Sequence, residues 1–355
     1  MWLSTLRARG VPPGSSTSWA GNTWWPRVES DPPGGAMTRH LVKKSVLFSL
    51  GIAAIGCADA ESPEATPLLS ESALMSHIET LADDSMLGRG AGTTHELLAA
   101  QYVRDVFISS GLQPGVDDYL QVFSIGNQGQ SPDAGEWSQN VMAILPGRGS
   151  LAGQWIVVGA HYDHVGWRRV SADSILIFNG ADDNASGTSL MLEVARYLHH
   201  HFTEGAGQTG ERRSIMFHAY GSEEIGLVGS RHFCQVPTVP LDSVAAMVNL
   251  DMVGRLAQNG LTLIGSTTAA YWPDLVSAAN TEGLPSNFDD KYMGGSDQWC
   301  YYEAGRPVLF FFTGIHSEYH TPADDTWLID AEGMVDIGEL ATRVLIEAAT
   351  RLSLQ

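Results

Sequence analysis

Five short segments of this 355-residue chain carry residue types that hold metals and move protons. The first is His161-Tyr162-Asp163-His164. The second places two adjacent acids, Asp182 and Asp183, before Asn184-Ala185-Ser186-Gly187. Ser222-Glu223-Glu224, Asp251 and Glu318-Tyr319-His320-Thr321-Pro322 follow. If these segments meet, four carboxylates (Asp182, Glu223, Glu224 and Asp251) face two imidazoles (His161 and His320), and the acids repel one another unless cations offset them. Mixed nitrogen and oxygen donors suit zinc and similar divalent ions. Two metals about 3.5–4 Å apart, bridged by one carboxylate, need roughly this number of ligands. Taken singly, each residue has a plainer reading. His161 fits a turn at a strand end, Asp182 a helix cap, Glu223 and Glu224 a solvated pair opening a helix, Asp251 a turn and His320 a loop. His164, His218, His232 and His316 fit no ligand position and read as structural or rim residues. His199 to His201 read as a solvated helix end. His95-Glu96 opens like the helical zinc signature HExxH, but its fifth position is Ala99, so the motif fails.

The groups sit just after apolar runs, which sets the elements that must position them. Residues 140–145, 155–160, 214–219, 245–250, 261–264 and 307–312 read as short buried strands, nearly continuous in apolar residues. Helical stretches over 186–200, 227–233, 271–280 and 333–352 lie between them. Two more helices are predicted upstream, from Ser70 or Ser72 to Leu81 and from Thr94 to Ser109, the latter stopped by Gly111. Alternating strands and helices predict an α/β sheet covered on both faces. Such sheets bind ligands at the carboxyl ends of their strands, where the His and acidic residues stand.

The runs GAHYDHVG, NGADDNASG, GSEEIGLVGS, NLDMVGR and EYHTPADDT resemble, in order, the motifs of the co-catalytic di-zinc aminopeptidases, metallopeptidase family 28. The likeness extends from about residue 71 to residue 350. It implies a mixed, largely parallel central sheet with helices on both faces, of the zinc-exopeptidase, phosphorylase/hydrolase-like kind, and two zinc ions per chain. His161 would bind one zinc and His320 the other, with Asp182 bridging and Glu224 and Asp251 completing the two sites. Glu223 would be the general base, and Asp163 would accept the second ring N–H of His161. Asp183 would help hold an unusual backbone, since the linkage after the bridging acid is often a cis peptide in the family. The Ser296-Asp297-Gln298 segment stands where relatives carry Ser-Asp-His, so Asp297, Gln298, Asp183 and Tyr319 are pocket candidates; the same segment falls one residue short of GxSxG. Tyr292, Trp299, Tyr301 and Tyr302 suit either an apolar pocket or the core. The expected activity is metal-dependent removal of N-terminal residues from peptides. Three alternatives stand beside it: a single-zinc glutaminyl-cyclase-like enzyme, a carboxypeptidase acting on acidic dipeptides, and an inactive binding protein. The uninterrupted run after Glu224 and the short span between Gln121 and Asn140 favour a peptidase without large insertions.

Apolar residues make up 44% and charged residues 17% of the chain, enough to bury a large core. The formal charge of −20 argues against nucleic acid as a partner, because phosphate binding needs a basic face. Residues 1–36 hold four of the ten Trp and five of the sixteen Pro without periodicity, and read as an upstream mis-start or disordered extension. From Met37, a basic stretch and a short apolar run ending in Ala54-Ile55-Gly56-Cys57 read as an export signal with a lipobox-like end, Cys57 being the lipid attachment point. Residues 58–70 read as a tether and 71–355 as one peptidase domain. The chain is therefore expected to be exported as a periplasmic or outer-membrane-anchored lipoprotein, otherwise secreted, as a monomer that touches membrane only through its lipid. Whether Cys234 and Cys300 pair is left open by the sequence.

Overall fold

The computed structural model of the protein describes residues 69–354. The expected leader, Cys57 and most of the tether lie outside the described residues. Two helices come first, α1 (Glu71–Leu81) and α2 (Thr94–Ser109), then strands β1 (Gln113–Pro114), β2 (Leu120–Ser124), β3 (Trp137–Leu145), β4 (Trp155–His161), β5 (Gly166–Ser171) and β6 (Ser174–Phe178). Next are α3 (Gly187–Thr203), β7 (Ser214–Tyr220), α4 (Val228–Gln235), β8 (Val244–Leu250), α5 (Leu256–Asn259) and β9 (Leu261–Ile264). The chain continues through α6 (Trp272–Ala279), β10 (Ser286–Phe288), α7 (Gln298–Glu303), β11 (Val308–Phe312) and α8 (Ala331–Thr350).

Among the described residues, nine strands form one mixed sheet in the order β1-β3-β7-β4-β8-β11-β9-β10, with β2 also pairing β3. β7, β4, β8 and β11 run parallel at its centre, and β3 and β9 join them antiparallel. Alternate side chains of these strands enter two apolar layers. Val141, Ile156, Val158, Phe217 and Val248 face the layer that holds the buried sides of α1, α2, α3, α6 and α8. Met142, Val157, Met216, Tyr220 and Met247 face a second layer closed by Phe233 of α4 and Tyr301 of α7. Helices thus cover both faces, as the continuous apolar strands predict.

Local chemistry sets the helix limits. Thr93 accepts the Glu96 N–H at 3.1 Å while Glu96 reaches back to the Gly92 N–H at 2.7 Å, a close relative of the capping box. Gly111, two residues past the end of α2, stops the helix with a φ of +78° that suits a residue without a Cβ. Cys234 of α4 and Cys300 of α7 form a disulfide that ties together the two helices of the second layer. Five strands escaped the sequence reading. β1, β2 and β10 are short edge strands, and β5 and β6 form a separate antiparallel ribbon with Val170, Ile175 and Leu176 exposed. None carries the unbroken apolar run that marks the central strands. Among the described residues, no helix is long and apolar enough to cross a membrane.

Candidate metal centre

The parallel register places the five segments on one rim. His161, the last residue of β4, pairs with Tyr220, the last of β7, and Leu250 of β8 pairs with Phe311 of β11. His161, the turn after β7, Asp251 and the loop after β11 therefore leave the sheet side by side. The Asp163 carboxylate accepts the N–H groups of Glu223 at 3.0 Å and Glu224 at 3.3 Å, which fixes the turn that carries both acids.

Among the described residues, two groups of metal-ligating atoms result, one of His164, Asp183, Glu224 and His320, the other of His161, Glu223 and Asp251. Asp183 joins them. Its Oδ1 lies 3.4 Å from His161 Nε2, and its Oδ2 lies 3.1 Å from His320 Nε2. Asp251 Oδ1 stands 3.4 Å from His161 Nε2, and Glu224 Oε2 stands 3.0 Å from His320 Nε2. Ligands at ~2.0–2.2 Å around a tetrahedral metal are roughly 3.3–3.6 Å apart, close to these separations. Asp183 Oδ2, Asp251 Oδ1 and His320 Nε2 are buried without a hydrogen-bond partner, so the donor set is built for cations and fits zinc in chemistry and spacing.

The sequence expectation needs a correction here. Asp182 is not in the cluster; its neighbour Asp183 is. Asp182 turns the other way, accepting the Gly254 N–H at 2.7 Å and facing His316 Nε2 at 3.2 Å and Arg255 Nε at 3.9 Å. The cis linkage likewise follows the acid that enters the site, lying between Asp183 and Asn184. Asp163 faces His161 as expected, its carboxylate 3.7 Å and its main-chain carbonyl 3.2 Å from His161 Nδ1, and the same carboxylate also holds the Glu223–Glu224 turn.

The histidines act as counter-charges to the acids. Burial alone would lower the His161 pKa, but Asp251 and Glu223 hold it well above its ordinary value. His320 is raised to about 11, Glu224 and Asp183 overcoming the effect of burial. Burial would raise Glu224, yet His320 and His164 bring it down to about 2. Asp183 is held well below the usual carboxylate range by His164, His161 and His320 against the same burial. Glu223 differs: burial, reinforced by Glu224, Asp297 and Asp251, pushes it well above the usual range despite His161.

The frame around the centre includes residues that the sequence reading gave no role. Asp324, fully buried, accepts the N–H groups of both Asp182 and Asp183 and meets Arg255 Nη2 at 3.3 Å. Arg89, also fully buried, donates to the carbonyls of Leu81, Tyr162, Asn179 and Gly180, stapling the histidine segment to the Asp183 loop. Arg255 and Asp324 sit inside the quoted motifs, which was the available signal; Arg89 had none. Of the pocket candidates, Asp297 and Gln298 are buried, and Gln298 bonds Asn249 and the Met293 carbonyl as packing rather than as a cleft wall. Asp297, raised to about 7 by burial against the opposing effect of His161, lies behind the centre. Tyr319 stacks on His320 with ring centroids 3.8 Å apart. Tyr301 belongs to the core, where its hydroxyl meets that of Tyr220.

Comparison with known proteins agrees with this architecture. Aminopeptidase YwaD of Bacillus subtilis (strain 168) is 30% identical over 224 residues, 60% of this chain and 45% of that protein. Leucine aminopeptidase 1 of Phaeosphaeria nodorum is 36% identical over 228 residues, 60% of this chain and 56% of that protein. The chain thus spans about half the length of these curated relatives. The structure of BSAP, a zinc aminopeptidase from Bacillus subtilis, superimposes with a TM-score of 0.63 at 20% identity, over 81% of this chain and 97% of that one. Porphyromonas gingivalis glutaminyl cyclase does so with a TM-score of 0.59 at 21% identity, over 79% and 99%. At these identities the structural likeness speaks for the fold. The model of peptidase family M28 matches residues 140–345, more than half of the sequence, and the chain belongs to that family.

Proposed function

We propose that this chain is a metal-dependent aminopeptidase that holds two zinc ions and removes N-terminal residues from peptides. One observation carries the two-metal reading. Asp183 turns one oxygen to His161 and the other to His320, as a carboxylate shared by two cations must. His161 and Asp251 would hold one ion with Asp183, and Glu224 and His320 the other. Bound there, the ions would lower the pKa of a water and polarise a scissile carbonyl. The chain's own contribution is proton handling. Glu223 is held in place through its backbone by Asp163, and its carboxylate, which lies beside His161 and Asp251, is in this reading not spent as a ligand. It can accept a proton from the attacking water and deliver it to the leaving amine. Burial raises its pKa above that of an ordinary carboxylate, which makes it a stronger proton acceptor. The names of the relatives support an exopeptidase acting at peptide N-termini. We further propose export, with Cys57 as a lipid attachment point, and action as a monomer.

The test combines three readings on the purified chain. Zinc per chain should approach two, aminoacyl-nitroanilides should be hydrolysed, and exhaustive chelation should abolish that hydrolysis. Turnover that survives complete metal removal would refute the proposal. Ammonia release from N-terminal Gln peptides without peptide cleavage would replace it with a cyclase. Mass spectrometry of the N-terminus reads the lipid directly.

A further inference from the structure

His164 fills no position in the expected ligand set, yet it is 1% exposed and its ring lies against that set. Its Nδ1 is 2.7 Å from Glu224 Oε1 and 3.6 Å from Asp183 Oδ2. The shorter distance is that of a hydrogen bond in which a ring N–H donates to a carboxylate. Glu224 therefore has its two oxygens on different partners: Oε1 on His164, and Oε2 toward His320 Nε2 at 3.0 Å. The ring has little freedom to leave. Gly180, at φ +58°, packs against it so closely that an added Cβ would sit 2.5 Å from two ring carbons. The His164 N–H bonds the Arg89 carbonyl at 3.3 Å, and the Arg89 guanidinium holds the Gly180 carbonyl at 3.0 Å. Ring, glycine and arginine form one clamp.

We propose that His164 is a positioning residue for one of the two metal sites: its Nδ1–H holds Glu224 Oε1 so that only Oε2 is presented to the ion shared with Asp183 and His320. The inference rests on the two-metal reading above. His164 bonds Glu224, a ligand of this site alone, at 2.7 Å, while the shared Asp183 stands farther off at 3.6 Å, so its removal acts chiefly on one ion. Donors that orient ligands in this way typically contribute about 10–100-fold to metal affinity. Asn is the conservative replacement, because its amide N–H can reach where imidazole Nδ1–H stands. Ala removes the donor.

The experiment uses the full chain, stripped of metal and titrated with zinc against a chromophoric chelator to give two dissociation constants. For His164→Ala, one constant should weaken by about 10–100-fold while the other stays within about threefold of the unaltered chain. The unchanged constant reports an intact fold. His164→Asn should restore the weakened site to within a few fold. Two unchanged constants in the Ala variant would overturn the proposal. So would equal losses in Ala and Asn, which would make the imidazole itself a ligand or a space-filler. If the Ala variant does not fold, the Asn variant decides alone, since loss of one ion there refutes the donor role. Uptake of one zinc by the unaltered chain would instead correct the two-metal reading. The Ala and Asn comparison would then be read at the site that fills, with the same outcomes.

Discussion

Exchanging the two neighbouring acids tests the centre most sharply. Asp183→Asn keeps the side-chain shape but removes a charge that faces both ion positions and turns one ligating oxygen into an N–H donor. A unit charge about 4 Å from another is worth ~4 kcal/mol at an effective dielectric near 20, and twice that against a divalent ion. Recovered solvation and the remaining ligands offset about half, leaving a loss of ~4 kcal/mol, or roughly a thousandfold in affinity at about 1.4 kcal/mol per decade. Because Asp183 Oδ1 and Oδ2 face His161 and His320 at 3.4 and 3.1 Å, both ions should weaken together. Asp182→Asn should behave otherwise. It leaves Arg255 and His316 facing an amide in a fully buried position. The expected cost is folding stability, on the order of 3 kcal/mol, with metal content of the folded fraction retained. Competitive zinc titration and urea unfolding of both variants separate the two cases. If Asp182→Asn empties the site while Asp183→Asn keeps both ions, the assignment drawn from the geometry is wrong.

Other consequences can be checked with the same protein. Glu223→Gln should keep its metal and lose turnover by roughly 10²–10⁴-fold, and a near-normal rate would remove Glu223 as the proton carrier. Replacing Cys234 and Cys300 together by Ser should lower unfolding free energy by about 2–4 kcal/mol without changing metal content, since the bridge joins helices of the second layer away from the ligands. Glu193 is 3% exposed, and His77 and Arg196 bring its pKa to about 2 against the effect of burial. A depressed carboxylate adds stability above its unfolded pKa near 4.5, and that stability is lost as the pH falls toward 2. Half-exposure of Arg196 screens the pair, so the contribution is about 1–2 kcal/mol rather than the full shift. Unfolding free energy measured from pH 6 to pH 2.5 should fall less steeply in Glu193→Gln; identical slopes would refute the pairing.

The parts of the fold visible in the sequence are those where one physical requirement dominates. β4, β7, β8 and β11 are covered on both faces, so nearly every position is apolar and the strands appear as unbroken runs. The start of α2 is equally legible, because Thr93 and Glu96 spell out their own hydrogen bonds. β5 and β6 satisfy their backbones by pairing with each other, and most of their residues are exposed, so no burial pattern marks them. The disulfide was invisible for a related reason: Cys234 and Cys300 are 66 residues apart, and only the packing of α4 beside α7 brings them together.

The site shows where residue spacing stops carrying information. Strand ends announce that His161, Glu223, Glu224, Asp251 and His320 lie on one rim, because the parallel register fixes where each chain leaves the sheet. Which of two adjacent acids enters the centre is decided instead by a turn. Gly180 opens it with a left-handed backbone, and Asp324, 142 residues beyond Asp182, accepts the N–H groups of both acids. Only those partners make Asp182 face Arg255 and Asp183 face the histidines. His164 poses the same problem at greater range: its partner Glu224 is 60 residues away, and nothing in either motif says that one ring nitrogen meets one carboxylate oxygen. Ligand identity is thus written locally, in residue type after a strand. Ligand orientation is written in contacts between segments, through Asp163, His164, Asp324 and Arg89, and these are the residues whose replacement should separate binding of the ions from folding of the chain.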